Sequence, residues 1–125
     1  MFTTEVAAGL EKRLAADETF QRYTRFFEAD VALVGIEPAL ALTFRGPDVR
    51  CAVAETETAD IVLSVSPEGW ASLADPEAIN VTLTHWLRKG EVRIDGDVDR
   101  AMSNWRPLFW AVARLREQLT GKTDF

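Results

Sequence analysis

Few residues in this chain have the type and spacing for chemistry, and they are scattered. His85 is the only histidine and stands one residue before Trp86 in a helical pattern. No carboxylate or second imidazole surrounds it at ligand spacing, so a metal site is not expected. Its bland role is a core-edge side chain, and its sharper role is a general base facing a buried ligand. Cys51, the single cysteine, falls in phase with Val49 and Val53 of a strand-like run. A small buried hydrophobe is the expectation there, and an internal disulfide is excluded. Ser64 and Ser66 lack a nucleophile-elbow setting, and Gly90, Gly96 and Asp97 are too sparse to cradle phosphate. Asp60 and Asp95 complete the acid–base inventory, without spacing that singles them out. Arg45, Arg50, Arg88, Arg93, Arg106, Arg114 and Arg116 are interspersed with acids and read mostly as solvated surface. Gathered at one mouth, they would suit an acidic headgroup. No catalytic residue, metal ligand or cofactor is assigned.

The chain is far richer in apolar patterning. Val98, Ala101, Met102, Trp105, Leu108, Phe109, Val112, Leu115 and Leu119 recur at three- and four-residue intervals, the stripe of an amphipathic helix. Pro107 falls inside it and should kink or divide the helix near Arg106. Trp110 lies off the stripe, about 140° from Trp105, which marks it for an exposed contact with a second copy or a membrane.

The preceding elements must hold that stripe. Thr4–Ala16 reads as a helix with Val6, Ala7, Leu10 and Leu14 on one face, interrupted at Asp17 and continued over Glu18–Phe26. From Phe27 the period changes to alternation, with Phe27, Ala29, Val31 and Leu33 facing one way. Glu37-Pro38 breaks the run; Ala39–Phe44 resumes it with Leu40, Leu42 and Phe44 in phase; Arg45-Gly46-Pro47-Asp48 has turn chemistry; Val49–Ala54 follows as a third strand. Glu55–Thr58 reads as the connection to a fourth strand, in which Ile61, Leu63 and Val65 alternate with polar neighbours. Ser66 is a good N-cap with Pro67 behind it, and Asp75-Pro76 repeats the signal, predicting a second helix through Ala78, Ile79, Leu83, Trp86 and Leu87 that Gly90 stops. Val92 and Ile94 mark a fifth strand, which would join the sheet through a crossover. The fold class is α+β: a five-stranded sheet, an antiparallel meander plus a crossover strand, covered by helices.

Asp60–Ser64, Ser66–Trp70 and Gly90–Asp97, in this order and separation, resemble the sterol carrier protein 2 domain. The resemblance runs from about Phe27 to about Phe109. It implies a lipid cavity between sheet and helices. The chain departs from the family at Trp86-Leu87-Arg88-Lys89-Gly90, where members often show Ala-Phe-Met-x-Gly. With bulky Trp86 and Trp105 narrowing such a cavity, a fatty acyl chain, a quinone or a polyketide-like lipid fits as well as a sterol. The expected liners are Leu33, Leu42, Phe44, Trp70, Leu83, Trp86, Met102, Trp105 and Phe109.

The 125 residues, 47% apolar and 27% charged, suit a single domain over residues 1–125 with a substantial core. A net charge of −6 without a basic cluster argues against nucleic acid. The start of the chain has no signal-peptide pattern and its end is not Ser-Lys-Leu, so the expected compartment is the cytoplasm. The leading expectation is a carrier that binds, and in that role transfers, a hydrophobic small molecule or lipid. Transient membrane contact and a homodimer are the macromolecular contacts it would make. The second reading is a small enzyme isomerising or cyclising a hydrophobic metabolite in the same cavity, with His85, Asp60 and Asp95 as its candidates. The third is a homodimeric interaction domain using Trp110.

Overall fold

The computed structural model describes residues 2–35, 38–54 and 59–122. Helix α1 (Thr4–Ala15) starts where the Thr3 hydroxyl accepts the Val6 N–H at 3.2 Å. The interruption at Asp17 is a cap: its carboxylate accepts the Phe20 N–H at 3.0 Å and opens α2 (Glu18–Thr24).

Strands β1 (Glu28–Val34), β2 (Ala39–Arg45) and β3 (Asp48–Ala54) form the antiparallel meander. Alternation sets the register. Ala29, Val31 and Leu33 lie opposite Phe44, Leu42 and Leu40, and Leu42 lies opposite Cys51, so one face collects the large apolar side chains. The β2–β3 turn places Gly46 at φ +62°, a left-handed conformation that glycine adopts without strain. Glu37 of the expected break and the Glu55–Thr58 connection lie outside the described residues.

Strand β4 (Ile61–Val65) runs parallel to β1, and β5 (Val92–Gly96) runs antiparallel to β4, giving the order β3-β2-β1-β4-β5. The crossover therefore leads to β4 and not, as expected, to β5. Val65 pairs with Val92, and the Ser66 N–H donates to the Glu91 carbonyl at 2.8 Å. The helices between them thus make an excursion that leaves and returns at the same end of the sheet. Antiparallel neighbours need no more than that.

Helix α3 (Pro67–Ala74) begins at the expected cap, with Ser66 Oγ accepting the Gly69 N–H at 3.1 Å. The second helix does not begin at Pro76. Asp75 makes only a turn, accepting the Glu77 N–H on its side chain at 2.9 Å, and Asn80 then adopts φ +56°, which ends any helical course. Helix α4 (Leu83–Lys89) starts at Thr82, whose hydroxyl accepts the His85 N–H at 3.1 Å, and stops at Gly90 with φ +73°. Ile79, expected on that helix's apolar face, is 76% exposed.

The long stripe is divided into α5 (Val98–Ser103) and α6 (Trp105–Thr120). The break falls at Asn104, whose side-chain amide donates back to the Arg100 carbonyl at 2.9 Å and makes no forward cap on α6. Pro107 sits in the first turn of α6, where a missing N–H costs little, so it divides the helices without kinking either. The stripe is not continuous: Val98 and Met102 are exposed. Helix α6 packs against every other helix, and Leu108, Ala111, Val112 and Leu115 bring it into one core with Leu33, Leu42, Ile61 and Leu63 of the sheet. On the opposite sheet face Ala32, Val34 and Ala39 form a smaller cluster with Ala59 and Val62. No described helix is long and apolar enough to cross a membrane.

Candidate functional site

Three aromatic side chains make a row between the sheet and the helical layer. Phe2 meets Trp70 edge-on with ring centroids 5.0 Å apart, and Trp70 meets Trp86 edge-on at 6.1 Å. The Ser66 cap sets the start of α3 and so directs Trp70 over Gly35. At φ +113°, a Cβ on Gly35 would come within 2.2 Å of the Val65 carbonyl oxygen and 2.7 Å of Trp70 Nε1. Only glycine allows this close approach. Trp86, from α4, is 1% exposed and its indole N–H points at Ser72 Oγ, 3.5 Å away. Trp105, at the start of α6, donates its indole N–H to Thr84 Oγ1 at 3.0 Å and so ties α6 to α4. The Trp70 indole N–H is buried and has no hydrogen-bond acceptor among the described residues. A donor in that state is uncommon and calls for a partner.

The expected liners divide into two groups. Leu33, Leu42, Phe44, Leu83 and Trp86 are fully buried, and Trp70 is nearly so. Phe44 packs on Phe27 and Phe20, centroids 4.8 and 6.2 Å apart, on the α2 side of the core. Trp105 and Phe109 are half-buried against the same core, whereas Met102 is 50% exposed. Met102 and Trp105 meet at a surface groove of about 400 Å³ at the α5–α6 break, with Tyr23, Ser103, Asn104, Arg106 and Pro107 as its other walls. Arg106 donates to the Tyr23 hydroxyl at 2.9 Å. Tyr23, Asn104 and Phe2 were not singled out as site residues from the sequence, and Arg106 was named only among the seven scattered arginines and as the place where the helix would divide. The signal available was Asn104 two residues before Arg106 and three before Pro107, the pattern of a new helix start.

The polar candidates do not converge. His85 Nδ1 lies 2.8 Å from Thr82 Oγ1 within the first turn of α4. Asp60 accepts the Asp30 backbone N–H at 2.9 Å and lies 3.6 Å from Arg100. Asp95 pairs with Arg93 at 3.0 Å on the exposed side of β5. Cys51 is buried as expected; burial, and then the Glu11 carboxylate, push its thiol up to about 12. Glu11 reaches there because it accepts the Cys51 N–H at 2.8 Å, covering an outward donor of the edge strand β3.

Two basic residues expected at the surface are built into the fold. Arg116 is 1% exposed and its guanidinium donates to the carbonyls of Ser72, Leu73, Asp75 and Ala78 at 2.9, 3.1, 3.2 and 2.7 Å. It closes the C-terminal end of α3, where orphan carbonyls favour a cation, and holds the chain that leads to α4. Arg114 pairs with Asp17 at 2.8 Å and with Glu117 at 2.9 Å. Trp110, expected to be exposed, is half-buried: it donates its indole N–H to Asp17 at 2.7 Å and packs on Tyr23 at 5.6 Å. Burial raises the Asp17 pKa, but the Phe20 N–H, the Trp110 N–H and Arg114 outweigh it, and the carboxyl lies below its ordinary value.

Solved structures with this fold include a sterol carrier protein 2, at a TM-score of 0.72 and 17% identity, covering 94% of this chain and 98% of that one. A Thermus thermophilus protein described as possibly a sterol carrier protein follows at 0.70 and 15%, covering 100% of this chain and 94% of that one. A UbiJ-SCP2 ubiquinone synthesis protein matches at 0.56 and 21%, covering 94% of each chain. A search of curated proteins finds none whose sequence matches. Residues 9–108 match the SCP-2 sterol transfer family over most of the chain, and this five-stranded, helix-covered chain belongs to that family.

Proposed function

We propose that this protein binds a hydrophobic ligand between the inner face of the sheet and the layer of α3, α4 and α6. Family membership supports lipid binding in general. The observation that carries the finer reading is the Phe2–Trp70–Trp86 row with its buried, unpartnered Trp70 indole N–H. An apolar wall holding one free donor suits a lipid with a single acceptor oxygen: a fatty acyl carbonyl, a quinone, a sterol hydroxyl or a polyketide-like ketone. Leu33, Leu42, Phe44, Leu83 and Phe109 line the same layer, and the groove at Met102 and Trp105 is its mouth. In this closed form those core residues fill the layer, so binding works by parting α6 from α4 where Trp105 bonds Thr84. Desolvation supplies the affinity, at about 25 cal/mol per Å² of apolar area buried.

A carrier of this kind needs no catalytic group, and transfer to an acceptor membrane needs only release. The expected compartment for such a carrier is the cytoplasm. Tryptophan fluorescence titrated with a saturated fatty acid, a quinone and a sterol tests the reading. A saturable spectral change with one of them, weakened at least tenfold in Trp70→Phe, supports it. Binding that is unchanged in both Trp70→Phe and Trp105→Ala rejects this placement of the ligand.

A further inference from the structure

We infer that β5 pairs edge to edge with β5 of a second copy, joining two sheets across an antiparallel two-fold centred on Ile94. The two edges of the sheet differ. Strand β3 is covered by α1, which packs along it and lends Glu11 to the Cys51 N–H. Strand β5 has β4 as its one neighbour in the sheet, and the ladder between them fixes where its backbone groups point. The Ser66 N–H donates to the Glu91 carbonyl at one end and the Asp97 N–H to the Asp60 carbonyl at the other, each at 2.8 Å. The register is unbroken between those bonds. Arg93 and Asp95 therefore direct their N–H and C=O groups to β4, and Val92 and Ile94 direct theirs away from it. Among the described residues no helix or loop backbone bonds to these outward groups. An edge in that state is a template for another strand.

The charges select a second copy as that strand. Arg93 and Asp95 share the outer face of β5, 77% and 49% exposed. Pairing centred on Ile94 sets Arg93 opposite Asp95 of the second copy, and Asp95 opposite its Arg93, so four charges of alternating sign close a ring. Ile94 exchanges both backbone bonds with its own counterpart. Moving the centre to residue 93 or 95 sets Arg93 against Arg93 or Asp95 against Asp95, so charge fixes the register as well as the partner. On the inner face Ile94, half-buried opposite Leu63, gains its counterpart as cover. The chain adjoining the strand agrees in sign. The end with Arg88, Lys89 and Glu91 meets the end with Asp97, Asp99 and Arg100, so excess base faces excess acid. A contact five residues long is smaller than a standard interface, so the dimer is reversible and forms at micromolar concentration or above. It uses neither Trp110 nor the interior, and does not depend on which ligand is bound.

Sedimentation velocity of the full chain from micromolar to near-millimolar concentration tests it. The salt should be about 0.15 M, where the −6 of each chain is screened beyond about 8 Å. The parent should move reversibly from one to twice the chain mass. Arg93→Asp and Asp95→Arg each set like charges opposite across the two-fold and should weaken association about tenfold. Both side chains are exposed, so circular dichroism and the urea midpoint should not change. Mixed in equal amounts, the two variants should recover the parent's association, because each altered residue then meets an opposite charge. A parent that stays monomeric at every concentration, a dimer that both variants keep, or a mixture no better than either variant alone overturns the pairing.

Discussion

Replacing Arg116 by methionine should cost about 3–5 kcal/mol of folding stability. Methionine keeps an unbranched apolar stem but removes the donors that reach four carbonyls at 2.7–3.2 Å. Hydrogen bonds from a charged donor contribute about 1.5–3 kcal/mol each, so four in isolation would far exceed that cost. Taking a guanidinium out of water offsets several kcal/mol, and water can reach some of the freed carbonyls, which brings the net loss back to the range for breaking a buried charged network. Arg116→Lys should fall between, because a single ammonium cannot span carbonyls that the planar fork reaches from both Nη1 and Nη2. Urea unfolding followed by the four tryptophans gives the comparison, provided the slope with urea is unchanged. Hydrogen exchange should quicken first in residues 75–81, which Arg116 holds. A methionine variant within about 0.5 kcal/mol of the parent, which is the scale of ordinary surface substitutions, would refute the pinning role.

Other consequences follow from the polar framework. Asp17→Asn should cost about 1–2 kcal/mol near neutral pH by weakening the bonds to Arg114, Trp110 and the Phe20 N–H. Because the folded Asp17 pKa lies below the unfolded one, its contribution is complete above about pH 5 and is lost as pH falls through the folded value. The gap in thermal midpoint between parent and variant should therefore close on acidification; a gap independent of pH would contradict the assignment. Cys51, with its thiol pushed up to about 12, should resist iodoacetamide at about pH 8 in the folded protein and react in urea, as read by mass. Rapid native labelling would contradict its placement. Glu11→Ala uncovers the Cys51 N–H at the edge of β3 and should cost about 1 kcal/mol in urea unfolding, with faster aggregation by light scattering. An unchanged midpoint and scattering would count against edge protection.

The strands and caps were legible because each carries a local signal. Alternation of Val31, Leu33, Leu40, Leu42 and Phe44 sets a strand face, and Ser66 and Gly90 act within a few residues of themselves. The misplaced start of α4 shows the limit of such signals. Asp75-Pro76 has the chemistry of a helix start, but Asn80 turns left-handed and Arg116, 38 to 44 residues away in sequence, takes the carbonyls of Ser72, Leu73, Asp75 and Ala78. No window along the chain contains that competitor. The same holds for Trp110, whose partners Asp17 and Tyr23 come from the other end of the chain and draw it out of the solvent position its helical angle suggested. At the candidate site the apolar types were visible in sequence, and their depth was not. Leu83 and Met102 look alike in a periodic pattern, yet one is sealed beneath α6 and the other stands at the α5–α6 break. Which strand takes the crossover depended equally on pairing partners far apart in the chain.

Native mass spectrometry of the purified protein, with organic extraction of whatever accompanies it, tests the central claim most directly. One hydrophobic molecule per chain, carrying at least one acceptor oxygen, should accompany the protein and be lost in Trp105→Ala. A clean apo mass, together with tryptophan fluorescence unmoved by fatty acid, quinone and sterol, would contradict it.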